Sequence, residues 1–321
     1  MAFETIIGDQ ILVAKDWLDR DELVGIPTET VYGLAGNGLN VKSVSKIFEA
    51  KNRPYFDPLI LHFKDINAIK TCVREFPSSA YKLAALFWPG PLTLILPKSE
   101  IVPDLVTAGS DGVAVRVPQH PIALKLLEKL PYPLAAPSAN PFKYVSPTCS
   151  QHVYDQLQTK IPYILEGGPS KVGIESTIVS FLDEAPKILR LGGIPTEEIQ
   201  KYIPEVIVDI QHAPNSSAIP GQLAHHYAPK CQLIPLDSFK GEKFPKEIPL
   251  LLFHKSKTRI SDFEYYLSEN GNLNEATSSL FSTLREFDKA GFTKVYFEWM
   301  PDEGLGKAIN DRLSRASTKV N

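Results

Sequence analysis

The sequence has few cysteines, no long hydrophobic run and no excess of positive charge. Its three cysteines, Cys72, Cys149 and Cys231, are far apart and form no C-x-x-C pair, so neither a disulfide framework nor a zinc knuckle is expected. The N-terminal residues lack the basic and apolar regions of a secretory signal peptide. No uncharged apolar stretch approaches the roughly 20 residues that span a bilayer. These absences predict a soluble, cytoplasmic protein with no membrane partner.

The charge balance excludes an overall basic field of the kind that holds a nucleic-acid backbone. The formal net charge is −3 and the isoelectric point is about 6.2, which leaves room only for a local basic groove. With 43% hydrophobic and 22% charged residues, the chain is neither disordered nor a coiled coil. Its 27 prolines outnumber its 19 glycines, so many stiff loops are expected.

Hydrophobic periodicity predicts interleaved helices and strands through residue 210. The predicted strands are 23–26, 58–63, 92–96, 112–117, 134–136, 161–165, 176–180 and 187–191. The predicted helices are 9–22, 41–51, 66–74, 78–87, 121–130 and 148–158. Because the order is not a strict βαβ alternation, the pattern favours an α/β fold with an open, twisted, mixed sheet and flanking helices.

A break in composition divides the chain. Residues 211–222 are rich in Pro, Ser, Asn and Gly, which is typical of a linker. Beyond it, strands are predicted at 232–236, 248–253, 264–267 and 295–298, and helices at 274–289 and 305–316. We therefore predict a larger α/β domain at 1–210, a linker at 211–230 and a smaller α/β domain at 231–321.

Several polar segments follow predicted strands, where open α/β sheets bind ligands. Thr28 and Thr30 lie in the first such segment, although either could simply cap a turn. Lys51 and Arg53 end a predicted helix, where they could complement the helix dipole or clamp an anion. We expect Lys51 to lie on the surface of a cleft. His62, inside an apolar run, is by default a core histidine.

Arginines in apolar strands need partners. Arg116 lies within an alternating apolar strand, so it requires either a structural carboxylate or an anionic ligand. Arg190 lies near another strand end. Ser138, Asn140 and the later Ser146 follow a strand in a segment that is either a close-approach ligand loop or a plain turn.

The motifs that are absent narrow the chemistry. The chain has no Walker A loop, no G-x-S-x-G and no H-E-x-x-H, which argues against P-loop, serine-hydrolase and zinc-protease mechanisms. Cations and hydroxyls at strand ends, without an activated nucleophile, suit the binding of a polyanion. Catalysis would then proceed by positioning and charge neutralisation, as in phosphoryl or nucleotidyl transfer.

Taken in order, these segments resemble the YrdC/TsaC family, the threonylcarbamoyl-AMP synthases, in its long two-domain form. The matching segments are P-T-E-T-V-Y-G-L (27–34), K-N-R-P…P-L-I-L-H (51–62), F-W-P-G-P-L-T (87–93), V-A-V-R-V-P (113–118), A-P-S-A-N (136–140), E-S-T-I-V (175–179), L-R-L-G (189–192) and P-G…H-Y-A-P (220–229). Each motif is weak alone, but together they are specific. The resemblance implies a YrdC-like catalytic sheet, a lid formed by the linker and a Rossmann-like C-terminal domain.

The resemblance also implies a reaction and its site residues. L-threonine, bicarbonate and ATP, accompanied by Mg²⁺ bound through the phosphates without direct protein ligands, would yield threonylcarbamoyl-AMP, pyrophosphate and water. The product would pass to proteins that transfer it to tRNA, next to the anticodon, with at most a weak direct contact between this chain and tRNA. Lys51 and Arg53 would be catalytic and hold the phosphates. The threonine and bicarbonate pocket would comprise Thr28, Thr30, His62, Arg116 and Ser176, and the nucleotide would contact Ser138, Asn140, Ser146, Arg190 and Tyr227.

Two departures and one alternative accompany this interpretation. Asp57 stands where the family commonly has Asn, which adds a negative charge near the phosphate clamp. His225 stands where a basic residue usually precedes His226. The alternative function is an RNA-binding YrdC-like regulatory module without catalysis. The acidic balance of residues 1–210 and the lack of interleaved aromatic and basic residues argue against it.

Overall fold

Two α/β units make up the part of the chain that the computed structural model describes, residues 3–210, 227–255 and 259–317. Most of the predicted linker, including His225 and His226, lies outside the described residues. The predicted α/β fold class is confirmed by the mixed sheet and helices of the structure. Within the described residues, no helix is long and apolar enough to cross a membrane.

The first unit carries the larger sheet. Its strands are β1 (Ile6–Gly8), β2 (Val24–Ile26), β3 (Gly33–Asn37), β4 (Ile60–His62), β5 (Leu92–Pro97), β6 (Gly112–Arg116), β7 (Leu134–Ala135), β8 (Tyr163–Leu165), β9 (Thr177–Ser180), β10 (Lys187–Arg190) and β11 (Ile207–Val208). Its helices are α1 (Ile11–Asp19), α2 (Val41–Lys51), α3 (Ile66–Ile69), α4 (Ser78–Phe87), α5 (Asp104–Thr107), α6 (Pro121–Glu128), α7 (Ser150–Leu157) and α8 (Thr196–Gln200). Across the described residues these strands form one 11-stranded sheet in the order β1-β8-β2-β3-β7-β4-β6-β5-β9-β10-β11.

Strand directions in this sheet are mixed, which brings residues that are distant in sequence side by side. Strands β4 and β6 are parallel neighbours, and their register places His62 opposite Arg116. Strand β9 pairs in parallel with β5 and antiparallel with β10. An isolated bridge joins Gly33 at the start of β3 to Ser138, just after β7. Three of the segments singled out in the sequence therefore converge at the middle of the sheet.

Helices cover both faces of the large sheet. Leu34 and Ala35 are adjacent in β3 but lie in different hydrophobic clusters, as expected because successive strand residues point to opposite faces. Helix α2 illustrates the local reasons for folding. The Asn40 side chain accepts hydrogen bonds from the backbone N–H groups of Lys42 and Ser43, and the helix ends at Asn52, whose φ is 52°.

The second unit is a smaller parallel sheet with two long helices. Its strands are β12 (Gln232–Pro235), β13 (Leu250–His254), β14 (Glu264–Ser268) and β15 (Lys294–Phe297), in the order β12-β15-β13-β14. Its helices are α9 (Leu273–Lys289) and α10 (Leu305–Ser317). All three strand pairings are parallel, which is the arrangement of a Rossmann-like sheet.

One hydrophobic cluster crosses between the units. Val31, Val145 and Ile174 of the first unit pack in the same buried cluster as Phe281 and Leu284 of α9. Gly173 lies at this contact with a φ of +78°, and a β-carbon there would come within 2.4 Å of the Ser278 Cα atom. The backbones therefore meet more closely than a side chain would allow.

The sequence pattern missed short elements. Strand β3 contains two glycines and an asparagine, which have low strand propensity, yet pairing on both sides and burial make it a central strand. Strands β1 and β11 and helices α5 and α8 were also not predicted. The helix predicted at 66–74 ends at Ile69, and residues 70–74 form no helix.

Candidate active site

A cavity of about 590 Å³, counted to its open mouth, lies where the central strands of the large sheet end. It is lined by nine of the residues predicted from sequence: Thr28, Thr30, Arg53, His62, Arg116, Ser138, Ser176, Arg190 and Tyr227. The remaining wall includes Val31, Gly33, Pro58, Ile60, Ala136, Pro137 and Glu175. The structure thus brings together residues that span from position 28 to position 227. This gathering identifies the candidate site.

The threonines and Arg116 form one connected group. The Thr28 and Thr30 hydroxyls lie 2.8 Å apart, and the Thr28 hydroxyl donates to the Val31 carbonyl at 2.6 Å. Arg116 donates through Nη1 to the Thr30 Oγ1 atom at 2.9 Å. The Thr28–Val31 turn therefore presents two hydroxyls beside a buried guanidinium.

Arg116 has a structural carboxylate partner, one of the two alternatives that the sequence left open. Its Nη2 atom lies 2.6 Å from Glu29 Oε1, and its Nε donates to the Gly90 carbonyl at 3.2 Å. These bonds and the one to Thr30 use three of the five guanidinium N–H groups. Because Arg116 also lines the cavity, the carboxylate partner does not exclude a ligand on the remaining N–H groups.

His62 is neutral at physiological pH. Burial, and next the nearby positive charge of Arg116, lower the pKa of His62 to about 3. Its Nδ1 atom lies 3.2 Å from the Ile60 carbonyl oxygen. The side chain can therefore offer the cavity a polar ring without an additional positive charge.

The predicted phosphate clamp is divided in the structure. Arg53 lines the cavity and pairs with Asp57 at 2.8 Å, and its N–H groups also donate to the carbonyls of Asp57 and Pro58. Lys51 is not among the cavity-lining residues. The expectation that Lys51 lies on the surface of the cleft is wrong, because only 1% of the residue is exposed.

Lys51 instead supports the loop that carries Ser138 and Asn140. Its ammonium donates to the backbone carbonyls of both residues. Burial, followed by the charge of Arg53, holds the pKa of Lys51 well below its ordinary value, although Asp57 opposes this effect. The amine therefore fixes the geometry of the 138–140 segment from beneath the cavity.

Asn140 and Ser146 also lie outside the cavity lining. The Asn140 amide donates to the carbonyls of Pro141 and Tyr144 at 2.9 and 2.8 Å, while its Oδ1 atom has no hydrogen-bond partner among the described residues. Ser146 donates to Glu175 Oε1 at 2.7 Å. Both residues are almost fully buried, so they form the layer behind the wall.

Arg190 and Ser176 form the opposite wall. The Nε and Nη2 atoms of Arg190 donate to the Ser176 carbonyl and hydroxyl, both at 3.0 Å. Ser176 Oγ also lies 2.7 Å from the Thr93 hydroxyl oxygen. Burial lowers the pKa of Arg190 to about 10, so the side chain remains cationic at neutral pH.

Three charged residues at or behind the cavity wall were not singled out from sequence. Glu29 and Glu175 lie inside the quoted motifs, and their carboxylates pair with buried arginines of the site. Arg312, which pairs with Glu175, comes from helix α10 and lies far beyond any motif. The signal for Glu29 was the buried Arg116, which must have a carboxylate nearby. The partner of Glu175 is Arg312, so Glu175 had no such signal. No comparable signal marks Arg312.

Tyr227 is the first described residue of the predicted linker, and it closes one side of the cavity. It is only 1% exposed, and its ring stacks on Phe281 with centroids 5.4 Å apart. Burial raises the pKa of its phenol. The phenol is thus protonated and held against helix α9.

Metal-binding clusters are not a feature of this site. Over residues 3–210, 227–255 and 259–317, no group of three or more His, Cys, Asp or Glu side chains is arranged to hold a metal ion. The carboxylates nearest the cavity, Glu29, Asp57 and Glu175, each lie against an arginine.

Two family models match consecutive parts of this chain. Residues 16–192 match the Sua5/YciO/YrdC family model, described as "Telomere recombination". Residues 194–318 match the model of the threonylcarbamoyl-AMP synthase C-terminal domain.

Relatives with curated names cover almost the entire chain. A threonylcarbamoyl-AMP synthase of Pyrococcus abyssi is 39% identical over 96% of this chain and 94% of its own length. One of Bacillus subtilis is 37% identical over 96% of this chain and 93% of its own length. The crystal structure of P. abyssi Sua5 complexed with L-threonine superposes with a TM-score of 0.88 at 36% identity, covering 99% of this chain and 98% of that one. The chain belongs to the threonylcarbamoyl-AMP synthase family, with both the Sua5/YciO/YrdC domain and the family's C-terminal domain.

Proposed function

We propose that this chain joins L-threonine, bicarbonate and ATP into threonylcarbamoyl-AMP, releasing pyrophosphate and water. The observation that carries the proposal is the single cavity that collects Arg53, Arg116 and Arg190 with the Thr28–Thr30 hydroxyls. Relatives that share the whole chain length carry the name of this activity. The product would be consumed by proteins that transfer the threonylcarbamoyl group to tRNA.

The chemistry needs two bond-forming steps. The threonine amine and bicarbonate first form a carbamate with loss of water. A carbamate oxygen then attacks the α-phosphorus of ATP, and the bond from that phosphorus to the leaving pyrophosphate breaks. Bicarbonate, the carbamate and the ATP phosphates are anionic, and threonine also carries a carboxylate, so the site must hold several negative charges close together. Buried guanidinium groups placed in advance meet this need, because they neutralise charge without reorganising.

The threonine end is assigned to the Arg116 side of the cavity. Arg116 would offer its remaining N–H groups to the threonine carboxylate or to the carbamate, a planar match for a guanidinium. Thr28, Thr30 and Ser176 would complete the pocket with hydroxyls. His62 would contribute hydrogen bonding as a neutral ring, in keeping with its lowered pKa.

The nucleotide end is assigned to Arg53, Arg190, Ser138 and Tyr227. Arg53 would contact the phosphates, while Lys51 would act on them indirectly by fixing the 138–140 loop. Asn140 and Ser146 would shape the adenylate pocket from behind. The buried Tyr227 would help exclude water from a labile acyl-type product.

Magnesium would enter with ATP as part of the substrate. Mg²⁺ commonly keeps waters and binds substrate phosphates with few protein ligands. The nearby carboxylates already lie against arginines, which suits coordination by the phosphates. The residues of this chain would orient the complex and balance its charge.

Pyrophosphate release measured with and without each substrate tests the function. We expect release from ATP-Mg only when both L-threonine and bicarbonate are present, and mass spectrometry should detect threonylcarbamoyl-AMP. Release that proceeds equally well without threonine would refute the proposal. Tight RNA binding with a steep salt dependence and no ATP turnover would favour the RNA-binding module instead.

A further inference from the structure

Helix α10 of the C-terminal unit reaches the wall of the cavity through one fully buried arginine. Arg312 donates from Nε and Nη2 to Glu175 Oε2, at 3.2 and 3.1 Å. The other oxygen, Glu175 Oε1, accepts the hydrogen bond from Ser146. Hydrogen bonds therefore connect α10, through a carboxylate that lines the cavity, to the loop behind the proposed adenylate pocket.

The same helix holds Tyr227 in place. The guanidinium carbons of Arg312 and Arg315 lie 5.2 and 4.7 Å from the centroid of the Tyr227 ring, within the range of cation–π attraction. Arg312 is 0% exposed and Arg315 is 3% exposed, so the contacts are shielded from water. Arg312 thus touches two parts of the cavity wall at once.

Helix α9 supports the same loop from another side. Arg285 donates to the carbonyls of Val145 and Ser146, and the Tyr144 hydroxyl donates to Asp288 at 2.5 Å. The loop at 144–146 is therefore held from outside by the C-terminal unit. Arg312 differs from Arg285 because its partner, Glu175, lines the cavity itself.

We propose that Arg312 is a positioning residue for the nucleotide, and that the C-terminal unit completes the nucleotide site through it. The inference rests on the proposed function, in which Ser146, Arg190 and Tyr227 serve ATP. Burial raises the pKa of Glu175, but the positive charges of Arg312 and then Arg190 outweigh it and hold that pKa below its ordinary value. Without Arg312, Arg190 would be the main remaining cation for this carboxylate. The carboxylate would then draw Arg190 away from the phosphates.

The test compares Arg312→Met with Lys307→Met on the same helix. Lys307 pairs with Glu197 at 2.6 Å and joins the same two units through partly exposed side chains, but it does not line the cavity. ATP affinity is measured by calorimetry, the KM and kcat by pyrophosphate release, and the fold by thermal unfolding. For Arg312→Met we expect ATP Kd and ATP KM to rise about tenfold. The KM for threonine should stay within about twofold of wild type, and Lys307→Met should change none of these binding values beyond about twofold.

The outcomes separate positioning from stability. If Arg312→Met unfolds at a lower temperature but binds ATP as wild type does, the inference is overturned and Arg312 is purely structural. An equal loss of ATP affinity in Lys307→Met would also overturn it, since any contact between the units would then suffice. If Arg312→Met does not fold, Arg312→Lys takes its place, and a rise of about threefold in ATP Kd supports the inference while no change overturns it. A wild-type chain that binds no ATP would instead refute the proposed function.

Discussion

The pair Arg116 and Glu29 allows the structural and ligand roles of a buried arginine to be separated. Both side chains are 4% exposed. Replacing Arg116 with Met removes the partner of Glu29 Oε1, while Oε2 already has no hydrogen-bond partner among the described residues. The carboxylate would be left buried and uncompensated. Breaking such a pair from one side costs about 3–5 kcal/mol, so urea unfolding should show a loss of this size.

A matched control and a second substitution complete the test. Lys15→Met removes an exposed i,i+4 pair with Asp19 and should cost only about 0.3–0.5 kcal/mol. Adding Glu29→Gln to Arg116→Met removes the orphaned charge and should restore most of the stability. L-threonine binding, measured by calorimetry, should remain lost in the double variant because the guanidinium is absent.

Two results would refute this reasoning. If Arg116→Met alone costs less than about 1 kcal/mol, the carboxylate is not left buried in the way the structure indicates. If the double variant regains both stability and threonine binding, the role of Arg116 is confined to its structural pair. The experiment thus decides between the two partners that the sequence left open.

The remaining predictions concern acid stability, the contact between units and the altered clamp residue. Because the pKa of His62 is lowered to about 3 in the folded chain, acid protonates this residue first in the unfolded chain, where its pKa is about 6.5. The folded state therefore loses stability as the pH falls below about 6.5. His62→Gln should therefore reduce the loss of stability between pH 7 and 4.5 by about 2 kcal/mol, and an unchanged acid loss in urea unfolding would contradict this. Gly173→Ala should destabilise the chain by about 1–3 kcal/mol more than Gly168→Ala. Both glycines have positive φ, but only at Gly173 does a β-carbon meet backbone; equal denaturation midpoints would count against the close contact. Asp57→Asn should lower the KM for ATP about fivefold by freeing Arg53 from a facing charge, and a raised KM would show that Asp57 helps the clamp.

Long periodic segments made most of the fold predictable. Helix α2 matches its predicted span of 41–51, and α4 matches 78–87, because amphipathic spacing, and in α2 also the Asn40 cap, act locally. Strand β3 was missed because its strand state depends on pairing with β2 and β7, which overrides the low propensity of Gly and Asn. The short strands β1 and β11 lie at the two edges of the sheet and form by pairing with β8 and β10. A local sequence pattern does not specify such pairing.

The motifs predicted which segments surround the cavity. They did not predict which side chains line it and which lie behind its wall. Sequence order placed Lys51 beside Arg53, but the left-handed turn at Asn52 lies between them, and only Arg53 lines the cavity. Asn140 and Ser146 likewise belong to a recognised segment yet lie one layer behind the wall. Whether a residue lies at the wall or behind it depends on tertiary packing, and contacts such as Arg312 to Glu175 join residues with no common motif.

The acidic composition and an anionic substrate are compatible because the cavity does not rely on net charge. Arg53 and Arg116 each face a carboxylate, at 2.8 and 2.6 Å, so the charges of these two arginines are largely offset. The wall offers an anion hydrogen-bond donors whose orientation is fixed. A guanidinium presents five N–H groups in a rigid fork, and a carboxylate partner on one edge leaves the others oriented. In a buried wall such oriented donors interact strongly with phosphate and carboxylate oxygens, since little water competes for them. We infer that selectivity for anions comes from the geometry of the wall, which the C-terminal unit contacts through the hydrogen bonds from Arg312 to Glu175.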